Sequence, residues 1–540
     1  MLKKEHLLKE IELLILEIEN KVINLHKNCN IANFEASISG NSEEYKKASE
    51  FEFELSKFYS DKNIYAKLKK FAQMEIDDPI IKRQVDLFFN DFAKNQFDED
   101  LHKKIIDCST HIEEKFSTFR AEANGRNLTD NEIDDILKYS TDNEELKITW
   151  EASKSIGKEV KDKVIELVKL RNQAARILGY DNYHQMSLKL NEQTTEDLDK
   201  LFDELDFLTR DNFTELKSEI DIYISGRLKI PTKDLMPWHY QDKFFQQGPR
   251  IYEVDYDKYY KDVDLVDKTI KYFESIGLQI EDIINKSDLY EKDKKYQHAY
   301  CTDIDREGDI RIVCNLKTNH RWMSTMLHET GHAVYDKYIS PQLPWQLRTH
   351  AHIFTTESIA MLFGRFASNP YWMNQMLNIG LENARKIEKL SHNALRLEQL
   401  VFSRWTQVMY RFEKELYINP DQDLNSLWWE IVEKYQLLKK PEGRNEPDWA
   451  AKIHMALYPA YYHNYMLGEL LASQLYHYIS NKVLRSNNPE FECFADKNDA
   501  GEYLKNLFFN YGALYNWKEL ILKATGEPLN PKYYSLQFVV

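Results

Sequence analysis

Residues 322–338 read WMSTMLHETGHAVYDKY, and this stretch decides how the surrounding chain is interpreted. It contains no proline, and its apolar residues recur with the spacing of an α-helix. Residues four apart share one face of a helix, so His328 and His332 can point at one ion. Imidazole nitrogens suit Zn²⁺, and Glu329 projects near the position that a catalytic zinc leaves open. The pattern predicts a metal helix with two histidine ligands and Glu329 as general base.

A catalytic zinc has a third protein ligand, and Glu357, 25 residues after His332, is the candidate. The two prolines of residues 340–345 can turn the chain, so that a second helix returns antiparallel to the first. Apolar neighbours surround Glu357 in the sequence, and a carboxylate in such surroundings needs a partner. His350 and His352, in the predicted turn, are rival ligands, and Glu357 is preferred. Zinc, water and a carboxylate base together are the machinery of amide hydrolysis.

The composition favours long helices. A length of 540 residues suggests three or four domains. Hydrophobic residues make up 43% of the chain, which is enough for a large core. Its 16 glycines and 14 prolines are few for this length. Helical periodicity recurs over residues 3–28, 43–60, 78–94, 101–123, 143–177 and 195–226. We therefore expect an all-α fold, and periodicity alone leaves an α-solenoid open.

Two stretches break the helical pattern. Residues 227–250 contain three prolines and are predicted to form a loop. Residues 295–316 alternate apolar and polar side chains around Glu307 and Gly308, which predicts a β-hairpin. A strand this close before the metal helix predicts a small sheet beside the active cleft.

Charge and cysteine usage exclude several classes of protein. The 88 acidic residues exceed the 72 basic ones, whereas nucleic-acid binding needs clustered Lys and Arg. The five cysteines are scattered and show no C-x-x-C spacing, so no disulfide framework is expected. Acidic residues interrupt the N-terminal apolar stretch, which argues against a signal peptide, and no stretch is apolar enough to span a membrane. A soluble, cytoplasmic protein is expected.

With the metal residues in place, the chain resembles the angiotensin-converting-enzyme family of zinc peptidyl-dipeptidases. Matching segments follow in the same order over most of the chain. The segment HAYCTDI, residues 298–304, resembles the family's HASAWDF strand. In that family the strand pairs with the substrate backbone, which is strand addition at a sheet edge. The resemblance therefore implies that His298 and Ala299 bind substrate.

A second segment, KIHMALYPAYYHNY at residues 452–465, resembles the family's KFHIPSSVPYIRY. There the His and the last Tyr stabilise the tetrahedral oxyanion, and the resemblance assigns these roles to His454 and Tyr465. The spacing is one residue longer here, and we place the extra residue before Tyr462. Tyr461 is the competing choice for Tyr462.

A third segment, PWHYQDKFFQQ at residues 237–247, resembles the family's PAHLLGNMWAQ. The final Gln of that family segment, with a Lys and a Tyr of the second segment, binds the terminal carboxylate of the substrate. The resemblance implies that Gln247, Lys452 and Tyr462 do so here, and Lys plus neutral donors is a sensible carboxylate receptor. Such a receptor separates a dipeptide-releasing carboxypeptidase from an endopeptidase.

Two departures concern structure and ions outside the metal site. The family pairs two cysteines across the HASAWDF hairpin, and here Gln297 replaces one of them while Cys314 remains. The missing disulfide is consistent with a reducing compartment. The family's chloride-binding Arg aligns with Asn464, so chloride activation is not expected.

A third departure concerns the groups that orient the metal ligands. The family places Asp four residues after the third ligand, where this chain has Met361. The groups that orient a ligand histidine must therefore differ, and Asp336 or Asp303 are the candidates.

The resemblance implies one catalytic domain of two helical lobes over residues 1–540, an ellipsoid with a deep central cleft, with residues 1–100 forming lid helices. We expect one Zn²⁺ per chain, oligopeptide substrates and a monomer, with no nucleic-acid or membrane partner. The expected reaction is release of C-terminal dipeptides. The alternatives are a zinc oligoendopeptidase or single-residue carboxypeptidase, and a non-catalytic peptide-binding protein that retains zinc.

Overall fold

The computed structural model describes residues 2–539, and helices account for 69% of it. The first part of the chain contains α1 (Leu2–Ser39), α2 (Ser42–Tyr59), α3 (Lys62–Ala72), α4 (Pro79–Ala93), α5 (Glu99–Thr118), β1 (Ala121–Ala123), β2 (Arg126–Leu128), α6 (Asp130–Tyr139), α7 (Asn143–Lys154), α8 (Ile156–Ile177), α9 (Tyr183–Leu190) and α10 (Thr195–Leu228). The middle contains α11 (Asp257–Tyr260), α12 (Leu265–Ser275), α13 (Glu281–Lys286), β3 (Tyr300–Asp303), β4 (Ile310–Val313), α14 (His320–Lys337), α15 (Ile353–Gly364) and α16 (Pro370–Leu377). The last part contains α17 (Leu381–Ile418), α18 (Leu424–Gln436), α19 (His454–Leu457), α20 (His463–Tyr478), α21 (Asn498–Leu507), α22 (Trp517–Thr525) and α23 (Lys532–Phe538).

The predicted all-α class is confirmed, and the β structure of the described residues consists of two antiparallel hairpins. The predicted hairpin is present: β3 pairs with β4 through a turn in which Gly308 has φ 101. The first hairpin, β1 with β2, was not predicted, and its first strand occupies the end of the segment assigned to helix at 101–123. The segment 143–177 is two helices, because the chain breaks at Ser155 between α7 and α8.

The chain divides into two compact units, each assembled from three separate stretches. Unit 1 comprises residues 1–96, 254–391 and 467–533, and unit 2 comprises residues 97–253, 392–466 and 534–540. Each unit brings together segments that are distant in sequence, whereas a solenoid repeat contacts only its neighbours along the chain. The solenoid alternative is therefore wrong, and the assignment of lobes and of a lid at residues 1–100 stays a prediction.

In unit 1, helix α1 lies against the β3–β4 hairpin. The buried residues Phe34, Ile304 and Val313 form one small core between them. The Asn30 side-chain amide donates to the backbone carbonyls of Asp303 and Ile304, which lie at the end of β3. The hairpin is thereby fixed by long-range contacts and not by its own two strands alone, which would be marginal.

Unit 2 has a separate core that is rich in tryptophan. Trp150, Trp405, Trp428, Trp429 and Trp449 are all buried in one continuous cluster. Helices α7, α17 and α18 contribute most of these rings. No helix of residues 2–539 combines the length and apolar character that crossing a bilayer requires.

Candidate active site

Two helices of unit 1 bring together three side chains that can bind a metal. One donor atom each from His328, His332 and Glu357 lies within 4.8 Å of the other two. The Nε2 atoms of His328 and His332 are 3.8 and 3.9 Å from Glu357 Oε2. Ligands at tetrahedral zinc, with bonds of about 2.0–2.1 Å, lie roughly 3.4 Å apart. The two His–Glu distances are therefore about half an ångström longer than this spacing, and three such donors around one zinc ion leave a fourth position open.

The geometry follows from how the two helices pack. His328 and His332 are four residues apart on α14, so both rings project from one face. Glu357 lies on α15, and contacts of residue 332 with 356 and of residue 328 with 364 show that the two helices run antiparallel. Two prolines do lie in the turn that reverses the chain. The rival histidines lie elsewhere: His350 faces Asp336, and His352 accepts the N–H of Phe354 at the start of α15.

The electrostatics of the site call for a cation. Burial lowers the pKa of His328 to about 4, so its imidazole is in the neutral form that binds metals. Burial and the neighbouring Glu357 carboxylate raise the pKa of Glu329 to about 8. Burial, and then the charge of Glu469, raise the pKa of Glu357 to about 7. A divalent cation would relieve this repulsion and favour both carboxylates in their charged form.

Glu329 also contacts the strand that the sequence predicted beside the site. The backbone N–H of Cys301, in β3, donates to the Glu329 carboxylate. Because β3 pairs with β4 along one edge, this N–H points from the other edge, which no strand of the described residues covers. Ala299 is half-buried and His298 exposed, directly before this strand. The general base and an open strand edge therefore lie together in unit 1.

The residues assigned to the oxyanion lie in unit 2 and cluster with one another. The His454 ring begins α19 and meets the Tyr462 ring edge-on at 5.0 Å between centroids. The Tyr465 ring packs on both Tyr461 and Tyr462, at 5.4 and 5.3 Å. Tyr462 Oη accepts a hydrogen bond from Trp405 Nε1 at 2.8 Å. The buried Tyr462 ring, which was assigned to the terminal carboxylate, thus has an orientation fixed by its hydrogen bond to the core.

Two of the three residues assigned to the carboxylate receptor lie together, and the glutamine beside them is Gln246. Lys452 Nζ donates to Gln246 Oε1 at 2.7 Å and lies 5.6 Å from the centre of the Tyr462 ring. The sequence assigned this place to Gln247, whose side chain is exposed. Between Pro237 and the two glutamines, two residues have left-handed backbone, with φ 62 at Gln241 and φ 51 at Phe245. Because this backbone is irregular, the position of a glutamine in the sequence does not predict whether its side chain contacts Lys452.

Two buried charged residues hold α19 and the loop that follows it, and neither was predicted from the sequence. Arg171 donates to the carbonyl of Ala456 at 2.6 Å. The Glu413 carboxylate accepts the N–H of Ala460 at 2.6 Å, in a turn where Ala460 has φ 52. This is the stretch in which the extra residue before Tyr462 was placed. The sequence offered one signal for both residues: each is a charged residue at a helix position where the apolar periodicity predicts a buried side chain.

The groups proposed to orient the metal ligands also differ from expectation. Asp303 accepts the backbone N–H groups of Asp305 and Arg306, and Asp336 faces His350. The group that contacts a ligand is Thr356, whose Oγ1 lies 2.7 Å from His332 Nδ1. It precedes the third ligand directly, in a position that no motif marked.

Comparison with known proteins gives matches over nearly the whole chain. The sequence model of the family described as angiotensin-converting enzyme matches residues 9–530. An angiotensin-converting enzyme of Theromyzon tessulatum is 23% identical over 507 residues, which cover 88% of this chain and 81% of that protein. The match therefore includes both units and every candidate site residue named above.

Proposed function

The chain belongs to the angiotensin-converting enzyme family, and we propose that it acts as this membership implies, as a zinc peptidase that releases C-terminal dipeptides from oligopeptides. The observation that carries the proposal is the position of Glu329. It lies between two metal-facing imidazoles on α14 and is hydrogen-bonded to the open edge of β3. A general base, a metal site and a place for an extended backbone thus meet within unit 1.

The base and the metal ligands divide the chemistry between them. His328, His332 and Glu357 would hold the ion, which when bound polarises a carbonyl and acidifies water. The Glu329 carboxylate takes the proton of the attacking water and returns it to the departing amine. The Cys301 N–H keeps this carboxylate oriented without consuming both of its oxygens. Such positioned proton transfer is worth roughly 10²–10⁴-fold in rate.

The open edge of β3 supports binding of an extended peptide. The Cys301 N–H on this edge already donates to Glu329, so a substrate strand that adds there would use the Cys301 carbonyl and the main-chain groups of Ala299, directly before the strand. Such pairing is independent of side-chain identity, which suits an enzyme acting on many peptides. Ala299 is proposed as a main-chain contact, and His298 as a side-chain contact at the strand's start.

His454 and Tyr465 are proposed to stabilise the oxyanion, and a trio to bind the terminal carboxylate. Both roles come from the resemblance of the unit 2 segments to the family pattern. Contacts within unit 2 support the trio as Lys452, Tyr462 and Gln246, with Gln246 in place of Gln247. Each oxyanion donor is expected to be worth roughly 3 kcal/mol in the transition state.

One experiment tests the reaction, and a variant tests the base. Incubation of zinc-loaded protein with a defined decapeptide should release successive C-terminal dipeptides, identified by mass. The same peptide with an amidated C-terminus should be cleaved far more slowly. Glu329→Gln should keep stoichiometric zinc and lose roughly 10²–10⁴-fold in kcat. Equal cleavage of both peptides, or full activity of the variant, would contradict the proposal.

Product masses also separate the alternatives. An oligoendopeptidase would cut both peptides internally, and a single-residue carboxypeptidase would release free amino acids. A peptide-binding protein would bind zinc and peptide without turnover. The five cysteines are unpaired, which supports the further proposal that the protein works in a reducing, cytoplasmic compartment.

A further inference from the structure

We propose that Thr356 is the positioning residue for the metal ligand His332, and that a neutral hydroxyl here does what a carboxylate does elsewhere in the family. Thr356 is 3% exposed and lies on α15 directly before Glu357. Its Oγ1 atom is 2.7 Å from His332 Nδ1. The inference rests on the proposed function only in requiring that the site binds zinc.

The two nitrogens of the His332 ring face different partners. Nε2 lies 3.9 Å from Glu357 Oε2, on the side where the three donor atoms converge, and Nδ1 faces Thr356. A neutral imidazole that offers the Nε2 lone pair to a metal carries its hydrogen on Nδ1. In that tautomer the Nδ1–H donates to Thr356 Oγ1. Because a hydroxyl can donate as well as accept, binding of Nε2 to the metal decides the tautomer, and the hydroxyl accepts the Nδ1 hydrogen and fixes the rotation of the ring.

The other groups that could take this role are occupied elsewhere. Met361 stands where the family has its acidic residue, and a thioether accepts hydrogen bonds only weakly. Asp303 caps the turn of the hairpin, and Asp336 faces His350. Because Thr356 precedes Glu357 on the same helix, α15 delivers the third ligand and the positioning hydroxyl as one rigid element.

A hydroxyl acceptor has a definite consequence for the metal. Hydrogen bonds to a neutral acceptor are roughly half as strong as those to a carboxylate, so the ring gains less basicity. Without the hydroxyl, a buried N–H would lose its acceptor and the ring its fixed orientation. Loss of such an outer partner typically weakens metal binding 10–100-fold.

The test measures zinc affinity directly, by competition with a chromogenic chelator, in the full-length protein. Thr356→Val, which removes the hydroxyl and keeps the shape, should bind zinc roughly 10–100-fold more weakly. Thr356→Ser should restore affinity to within about threefold of the wild type, because the acceptor returns. The absorption spectrum of the Co²⁺-loaded protein should change in the valine variant and not in the serine variant.

Thr355→Val is the matched control. Thr355 is equally buried on the same helix, and its hydroxyl donates to the His352 carbonyl and not to a ligand. Its valine variant should lose thermal stability while binding zinc as the wild type does. Unchanged affinity in Thr356→Val, or equal weakening in Thr355→Val, would overturn the inference. Zinc binding without dipeptide release in the wild type would instead reject the proposed function and leave this inference standing.

Discussion

Gly331 and Ala360 bring the two metal helices into backbone contact. A Cβ added to Gly331 would lie 2.7 Å from the Cα of Ala360 and 3.0 Å from its nitrogen. Gly331 lies between Glu329 and His332, and Ala360 follows Glu357 by one helical turn. The separation of α14 and α15, and with it the reach of Glu357 to the two imidazoles, depends on this missing side chain.

Gly331→Ala is expected to disrupt the metal site without unfolding the protein. The methyl group must push α15 away, and overpacking of this kind costs about 1–3 kcal/mol. Displacement of Glu357 by about 1 Å should lower kcat/KM roughly 10²-fold. Zinc affinity and kcat/KM are the measurements. Gly364→Ala is the control, because its Cβ would stand 3.4 Å from the His328 Cβ in ordinary contact; equal effects of both substitutions would reject this account.

The pH dependence of kcat/KM should report Lys452. Burial lowers the pKa of Lys452 to about 8, only partly opposed by the charge of Asp242. Its ammonium form is therefore present below about pH 8 and is lost as the pH rises through that value. If Lys452 binds the terminal carboxylate, kcat/KM for a free peptide should fall above pH 8.

Lys452→Met supplies the control for this pH profile. The variant should raise KM roughly 10–100-fold, the worth of one charge-assisted hydrogen bond. It should also lose the decline of kcat/KM above pH 8. A decline of the same size in the variant would show that another group titrates there.

A buried lysine should replace the missing hairpin disulfide as a source of stability. Lys295 Nζ donates to the carbonyls of Asp288, Tyr290 and Cys314 and pairs with the Asp288 carboxylate at 2.8 Å. Its side chain is fully buried. Removal of one partner of a buried ion pair costs about 3–5 kcal/mol, so Lys295→Met should lower the urea midpoint clearly.

Lys292→Met is the matched control for this prediction. Lys292 pairs with the same carboxylate, Asp288, but its side chain is 56% exposed. Exposed ion pairs contribute about 0–1 kcal/mol, so the urea midpoint should barely change. Similar midpoints for the two variants would show that burial of Lys295 is not what stabilises the hairpin.

Chloride should not activate the enzyme. Asn464, at the position of the family's chloride-binding Arg, accepts a hydrogen bond from Gln193 Nε2 at 2.9 Å. The other end of the Gln193 amide meets His463 Nε2 at 2.9 Å. Two side-chain amides, of Gln193 and Asn464, are thus paired with each other at the position where the family's Arg binds an anion. Replacing acetate by chloride at constant ionic strength should change kcat/KM by less than about twofold; saturable activation would contradict this.

Much of the site could be predicted from the sequence because its key relationships are local. Two histidines four residues apart share a face of any helix, so the metal pair and its base needed only the periodicity of one segment. The β3–β4 hairpin likewise follows from alternation around one glycine turn. Glu357, 25 residues after the second histidine, was harder to predict. Its apolar neighbours indicated a buried carboxylate, and a buried carboxylate without a partner is costly.

By itself the sequence indicated a helical peptidase fold and named the candidate metal ligands and base, because helical spacing and donor chemistry are properties of short segments. Tertiary structure alone decided that Gln246 and not Gln247 meets Lys452, that Thr356 contacts His332, and that Gly331 sets the spacing of α14 and α15. These relationships join residues through irregular backbone or across helix interfaces. Their geometry depends on the packing of the whole unit, and no local period of the chain records it.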